Sequence, residues 1–263
     1  MILKISSRKN DIIKYASKLK TDSDFRRKEG KFLSEGARLC RDAAESGIVI
    51  EAVFYTEKAL EKYGDYLQTI FSTARNCYLI ESHVADLLGD TKNPQGIFSI
   101  CRTPAFGETV DGLVKTRKYI ALQRLQDPGN LGTILRTAEA LGINGVLLTD
   151  DCCDPFNPKS LRSGMGAAFR LPLYQMENGE QLVRELNSCG FFTFAAVPDR
   201  DAISVTDCGF SDGAVVFVGN EGNGLSKQVV ELCQKKITIP MKGRAESLNA
   251  ASSAAVLMWE MMR

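Results

Sequence analysis

Apolar residues recur with two different periods along this chain, and their alternation predicts most of its elements. Behind Asn10, a residue type that caps helices well, Ile12, Ile13, Tyr15, Ala16 and Leu19 repeat at helical spacing and predict a helix over about 10–19. A charged helix near 22–29 follows, then a helix over 37–46, a buried strand over 49–55, a helix around 58–67, a strand at 78–80, a helix at 83–88 and a strand at 97–101. Periodicity fades between 105 and 117, where Gly107 and Gly112 stand, and this stretch reads as a linker. From Lys118 onward, strands at 119–122, 146–148, 191–196, 215–218 and 237–239 alternate with helices at about 131–141, 158–169, 180–189, 226–233 and 248–262. Such alternation predicts a mostly parallel sheet covered on both faces. The fold class is therefore α/β, with a small domain over 1–104, a linker over 105–117 and a larger parallel-sheet domain over 118–263.

Composition narrows the possibilities. Of 263 residues, 44% are hydrophobic and 25% charged, the balance of a globular chain, and no apolar run approaches the roughly 18 residues that would cross a bilayer, so no membrane partner is expected. The eight cysteines include no CxxC pair and the chain has a single histidine, His83, so no metal site is expected. The cysteines read as reduced thiols of a cytoplasmic protein, and the basic start MILKISSRKNDIIKYASKLK reads as a folded helix rather than a targeting segment. One histidine, in a helical context far from any glycine-rich turn, also removes most Ser-His-Asp and Cys-His chemistry.

Net charge is only +1, yet residues 1–40 carry eleven Lys and Arg against five acids, while the remainder carries 22 against 27. A basic first region on an otherwise acidic chain points to a polyanion partner, most often nucleic acid.

Three loops at predicted strand ends hold the candidate chemistry. In VVFVGNEGNGLS the glycines Gly219, Gly222 and Gly224 form GxxGxG, which is neither the dinucleotide GxGxxG nor a P-loop, because Leu225, before Ser226, stands where the Lys would be needed. A nicotinamide or ATP site is therefore disfavoured. QDPGNLGTILR places Asn130 at a helix start and Arg136 two turns on; IPMKGRAESLNAASSAA ends a strand and opens a helix near Ser247 with an unusually small-sided run from Ala250 to Ala255. Taken singly, Asn130 and Ser247 read equally well as caps, and Arg136 as a surface cation.

Together, in this order and spacing, the three motifs resemble the SpoU/TrmH branch of the SPOUT RNA methyltransferases. The stretch NDIIKYASKLK, with FRRKEGKFLSEGARL after it, is similar to the L30e-like RNA-binding domain found on rRNA-modifying members. The resemblance implies a C-terminal SPOUT domain with a deep trefoil knot, S-adenosylmethionine as cofactor and a homodimer. It places cofactor contacts on Gly219, Glu221, Gly222, Gly224, Leu225, Ile239, Met241 and Leu248, and catalytic positions on Arg136, Asn130, Glu221, Ser247 and Asn249. The implied activity is methylation of a ribose 2′-hydroxyl in structured RNA, ribosomal RNA before tRNA, with no DNA partner. Arg136 would anchor the target phosphate rather than act as a base, since a guanidinium holds its proton above about pH 12. The alternatives are a tRNA 2′-O-methyltransferase, a non-catalytic RNA-binding or ribosome-assembly protein, and a nucleotide-cofactor oxidoreductase, which the glycine spacing opposes.

Overall fold

A computed structural model describes residues 3–91, 93–149 and 151–263. The chain forms two compact units, one comprising 1–105 and 156–169, the other 106–155 and 170–263.

In the first unit, β1 (Leu3–Ile5), β2 (Lys31–Glu35), β3 (Ile50–Tyr55), β4 (Asn76–Ile80) and β5 (Ile97–Arg102) make a sheet in the order β1-β4-β3-β5-β2. The β1–β4 and β3–β4 pairs are parallel, whereas β5 runs antiparallel to both β3 and β2. Helices α1 (Asp11–Thr21), α2 (Ser23–Glu29), α3 (Ala37–Glu45), α4 (Glu57–Thr73) and α5 (Ser82–Leu88) accompany it. Asn10 caps α1 as expected, accepting from the Ile12 amide at 3.0 Å. Ile13, Ala16 and Leu19 then bury fully in a core with Leu33, Phe54 and Phe98. His83 lies exposed on α5.

In the second unit, β6 (Tyr119–Leu122), β7 (Val146–Thr149), β8 (Leu173–Met176), β9 (Phe192–Ala196), β10 (Ile203–Ser204), β11 (Ala214–Val218) and β12 (Lys235–Thr238) form one sheet in the order β10-β12-β9-β11-β6-β7-β8, parallel throughout. Its central strands β6, β7 and β11 are buried along their whole length and apolar but for Thr149, as suits strands covered on both faces. Helices α6 (Pro128–Leu141), α8 (Gly179–Ser188), α9 (Lys227–Leu232) and α10 (Ala250–Met262) belong to this unit. Ala250, Ala251 and Ala254 bury on α10, which packs against α6, so the small side chains let the helices approach closely.

Two expectations need correction. The stretch 105–117 is not a free linker from Phe106 onward: the Gly107 amide donates to Leu173 O at 2.9 Å, and Val110 and Leu113 bury in the second unit's core. Gly107 must be glycine there, because a Cβ would sit 2.2 Å from the Tyr174 ring. The predicted helix over 158–169 is broken, and the segment belongs to the first unit. Helix α7 (Pro158–Gly164) stops where Met165 and Gly166 take left-handed backbone, at φ +48° and +76°, before a 3-10 turn at Ala167–Phe169. Phe156 and Phe169 hold the segment by packing their rings on Phe32, at centroid distances of 4.9 and 5.7 Å. Pattern reading cannot see such a transfer, because it registers that residues are apolar but not which core receives them.

Candidate functional site

Chain order and sheet order diverge at β6 and β11. From β6 the chain moves outward through β7 and β8; from β11, β6's neighbour on the other side, it continues to β12 beyond β9. Loops leaving two neighbouring strands in opposite directions open a crevice at their carboxyl ends, the usual ligand position in an open parallel sheet.

The β6 loop is held by a short ladder of polar contacts. Gln123, almost fully buried, receives the Ser226 amide on its Oε1 at 2.9 Å, while its own amide donates to Val218 O at 2.9 Å. Arg124 next takes left-handed backbone (φ +58°), rare for a residue with a Cβ. Asn220 Nδ2 donates to Arg124 O at 2.8 Å, and Arg124 Nε donates to Asp151 Oδ2 at 2.8 Å. Burial alone would raise the Asp151 carboxyl, but hydrogen bonds from Thr149 and Arg124 hold it below the usual carboxylate range. Asp127 then caps α6, accepting from the amides of Gly129 and Asn130. Asn130 is therefore not the cap; its side chain is left to other partners.

Those partners come from the other two loops. Asn130 Nδ2 donates to Glu221 Oε1 at 2.8 Å, and Asn249 Nδ2 donates to Asn130 Oδ1 at 3.1 Å. Three residues separated by 91 and 119 positions in sequence thus form one hydrogen-bonded chain. Asn249, not Ser247, caps α10, accepting from Ala251 and Ser252 through Oδ1. The helix begins later than the sequence suggests because Asn249 also serves this network.

The β11 loop folds back on itself. Asn220 and Gly224 exchange backbone hydrogen bonds at 3.2 and 2.9 Å, and Asn220 Oδ1 accepts from the amides of Gly222 and Asn223. Gly219 is obligatory, since its Cβ would lie 2.1 Å from Gly224 C; Gly224 has φ +66°. Gly222 has no such need, its Cβ meeting only Asn220 Oδ1 at an ordinary 3.4 Å.

The remaining predicted residues lie apart from this network. Arg136 is exposed on α6 and makes no ion pair or hydrogen bond among the described residues. Ser247 is exposed and joins no contact of the triad; Ile239 is half-buried just past β12, while Met241 and Leu248 are 36% and 40% exposed in the loop before α10. Leu225 packs partly buried on the core. Sequence reasoning missed Gln123, Arg124, Asn220 and Asp151. Asn220, inside the glycine motif, was the one with a visible signal; the others declare themselves only through partners distant in sequence.

Cys153 stands near these loops, its thiol pushed up to about 12 by burial, then by Cys152 and by the carboxylates of Asp154, Glu221 and Asp127. It stays protonated and is no nucleophile. Among the described residues no group of three or more His, Cys, Asp or Glu is placed to hold a metal.

A glycine-folded loop and two asparagine-bearing loops thus gather at the carboxyl ends of a parallel α/β sheet, at its topological switch point. The chain belongs to the SpoU rRNA methylase family, whose pattern matches residues 117–259. Residues 10–99 match the MRM3-like substrate binding domain. The chain is 33% identical over 258 residues to the 23S rRNA (guanosine(2553)-2′-O)-methyltransferase RlmP of Bacillus subtilis, covering 98% of each. It is 33% identical over 262 residues to an uncharacterised tRNA/rRNA methyltransferase of Synechocystis, covering 100% of this chain and 94% of that protein. It is also similar to the crystal structure of an AdoMet-bound rRNA methyltransferase from Sinorhizobium meliloti, with a TM-score of 0.87, 27% identity, and coverage of 99% of this chain and 97% of that one.

Proposed function

We propose that this protein transfers a methyl group from S-adenosylmethionine to a ribose 2′-hydroxyl in ribosomal RNA. The observation that carries the reading is the Asn249–Asn130–Glu221 chain, which unites the three family motifs at the carboxyl ends of the sheet in a chain alike over its full length to an rRNA 2′-O-methyltransferase.

The residues fit the cofactor. Gly222 and Gly224 leave one side of the β11 loop open, with no protein atom within 4 Å of a Cβ at Gly224, so backbone amides and carbonyls are accessible to an adenine and ribose. Glu221 and Leu225 would contact it from the same loop, with Gly219 fixing the loop's fold. Ile239, Met241 and Leu248 would add apolar walls; exposed Met and Leu in one loop suit that role better than solvent. Bound there, S-adenosylmethionine supplies an electrophilic methyl on sulfur.

What the chain's own residues contribute is placement. Arg136, without a partner among the described residues, would clamp the target phosphate and stabilise negative charge developing on the 2′-oxygen. Asn130, held between Glu221 and Asn249, would fix the start of α6 and so the bearing of Arg136; Ser247 would contact the ribose or cofactor from the β12 loop. Holding the reacting atoms near 3 Å and excluding water supplies most of the rate in such a displacement. The first unit would hold the RNA through its cations and shape.

Three further features belong to the same reading. A deep trefoil knot is implied by the family, and the close packing of α10 on α6 suits a threaded chain. A homodimer is supported by the exposed apolar stripe of Val256, Trp259 and Met262 on α10. A cytoplasmic location is supported by eight unpaired cysteines; no described helix is long and apolar enough to cross a membrane.

The test is incubation with methyl-labelled S-adenosylmethionine and separate rRNA and tRNA pools lacking their own modifications, followed by nuclease mapping of the label. Label on a 2′-oxygen of rRNA is expected. Label confined to tRNA would redirect the substrate, and no cofactor binding at all would leave a non-catalytic RNA-binding protein.

A further inference from the structure

Away from the strand-end loops, the first unit carries a half-open pocket of about 420 Å³. It lies among the β2–α3 turn, the loop before β5, and α7. Leu39, Leu161 and Met165 give it an apolar lining, while Arg38, Asn93 and Gln95 add hydrogen-bonding groups.

The construction of that lining has a cost. Met165 holds φ +48°, a conformation disfavoured for any residue with a Cβ, and keeps 37% of its surface exposed. A glycine would suit this backbone better but would leave the wall missing. Directly after it, Gly166 also holds left-handed backbone, at φ +76°, and a Cβ there would have to displace the Asp42 carboxylate of α3.

The polar groups define what fits. Among the described lining residues Glu35 and Asp42 offset Arg38 and Arg162, so these side chains carry no net charge to attract a phosphate. Glu35 is already occupied, accepting from the Asp90 amide at 2.8 Å and Thr91 Oγ1 at 2.9 Å, with Arg162 beside it at 3.9 Å. Gln95 Oε1 accepts from the Ala37 amide at 2.8 Å, which leaves its amide nitrogen as a donor without a partner among the described residues. Arg38, exposed, makes no ion pair among them either. An uncharged planar group presenting acceptors matches apolar walls with spare donors, and the volume admits a base of either size.

We infer that this cavity receives one unstacked, carbonyl-bearing nucleobase, guanine or uracil, from the RNA substrate, separate from the nucleotide that is methylated. The inference rests on the RNA-methylating reading above, and it makes Met165 and Leu161 specificity-determining residues although they lie in the sequence range of the methyltransferase family pattern.

The experiment uses the full chain carrying methyl labels on methionine and leucine, titrated with guanosine, uridine and adenosine, with Met165→Gly as the variant. Guanosine and uridine should shift the Met165 and Leu161 methyl signals, and adenosine should shift them less at equal concentration. Met165→Gly should keep or raise the thermal midpoint while raising KM for rRNA about tenfold at unchanged kcat, the effect of removing one apolar wall. A purely structural role predicts the stability gain without the KM loss, and that result would overturn the proposal. So would nucleosides that leave both methyls unmoved. Nucleoside shifts with an unchanged rRNA KM would mark a site for free nucleosides and overturn the RNA assignment. The titration needs no methyl transfer, so a parent protein that labels no rRNA would defeat the activity reading while the nucleoside arm still decides the cavity.

Discussion

The cations of the first unit are largely engaged within it, whereas Arg136 of the second has no partner among the described residues. Lys4 pairs with Glu81 at 3.0 Å, Lys31 with Glu51 at 2.6 Å, and Lys20 donates to the carbonyls of Leu87 and Gly89. Arg26 is 3% exposed and donates to Leu19 O at 2.8 Å, tying α2 to the end of α1. In the second unit the asparagines and Glu221 bond to one another across loops, and Arg136, beside them in the motif, has no partner among the described residues. The excess of positive charge over residues 1–40 therefore overstates the charge available to RNA, and Arg26 drops out of any RNA footprint. Charge that is free for a ligand can be counted only after internal partners are assigned.

The largest effect is expected of Arg136→Ala. Transfer to rRNA should fall by about 10²–10³-fold or more while cofactor affinity stays within a few fold, as for loss of one donor to a developing oxyanion. Normal turnover, measured beside a cofactor titration, would remove the contrast between an open and an engaged arginine.

Next in size is the pair Arg26→Glu against Arg27→Glu with Lys28→Glu. The first should destabilise the fold by about 3 kcal/mol or more, seen in denaturant melts, because it buries a carboxylate among carbonyls. The second should leave the melts unchanged and flatten the salt dependence of RNA binding. Equal behaviour of the two would mean that burial does not separate structural from ligand-binding cations here.

A smaller effect distinguishes the glycines of the β11 loop. Gly222→Val should weaken cofactor binding about tenfold with little change in melting, whereas Gly219→Ala should lower both, since its Cβ meets backbone at 2.1 Å. Calorimetric titration and thermal melts of the two variants read the difference directly.

The smallest concerns pH. Burial pushes the thiols of Cys153 and Cys233 up to about 12 and that of Cys40 up to about 11. With unfolded thiols near 8.5, this contribution is fully present below about pH 8.5 and is lost progressively as pH rises toward the folded values. Melts between pH 8 and 10 should show declining stability, and Cys153→Ala should reduce the slope.

Much of the strand and helix order of the second unit was legible because its central strands are almost wholly apolar and its helices carry caps. Short strands escaped notice: β1, β2, β8 and β10 span 3, 5, 4 and 2 residues, too few to display a period of two. Motif content and spacing identified the family, and three of the five catalytic candidates, Asn130, Glu221 and Asn249, do share a hydrogen-bonded chain. Gln123, Arg124 and Asp151 left no trace, because a lone polar residue after a strand looks the same whether it faces water or a loop a hundred positions away.

Periodicity, capping and motif spacing are local properties, and they are enough to reveal the α/β alternation, the family and the residue types available to the site. Only the tertiary structure decided that Asn130 is a bridge and Asp127 the cap, that Arg26 is internal, and that residues 156–169 complete the first unit, because each depends on which distant surface the chain meets when it closes.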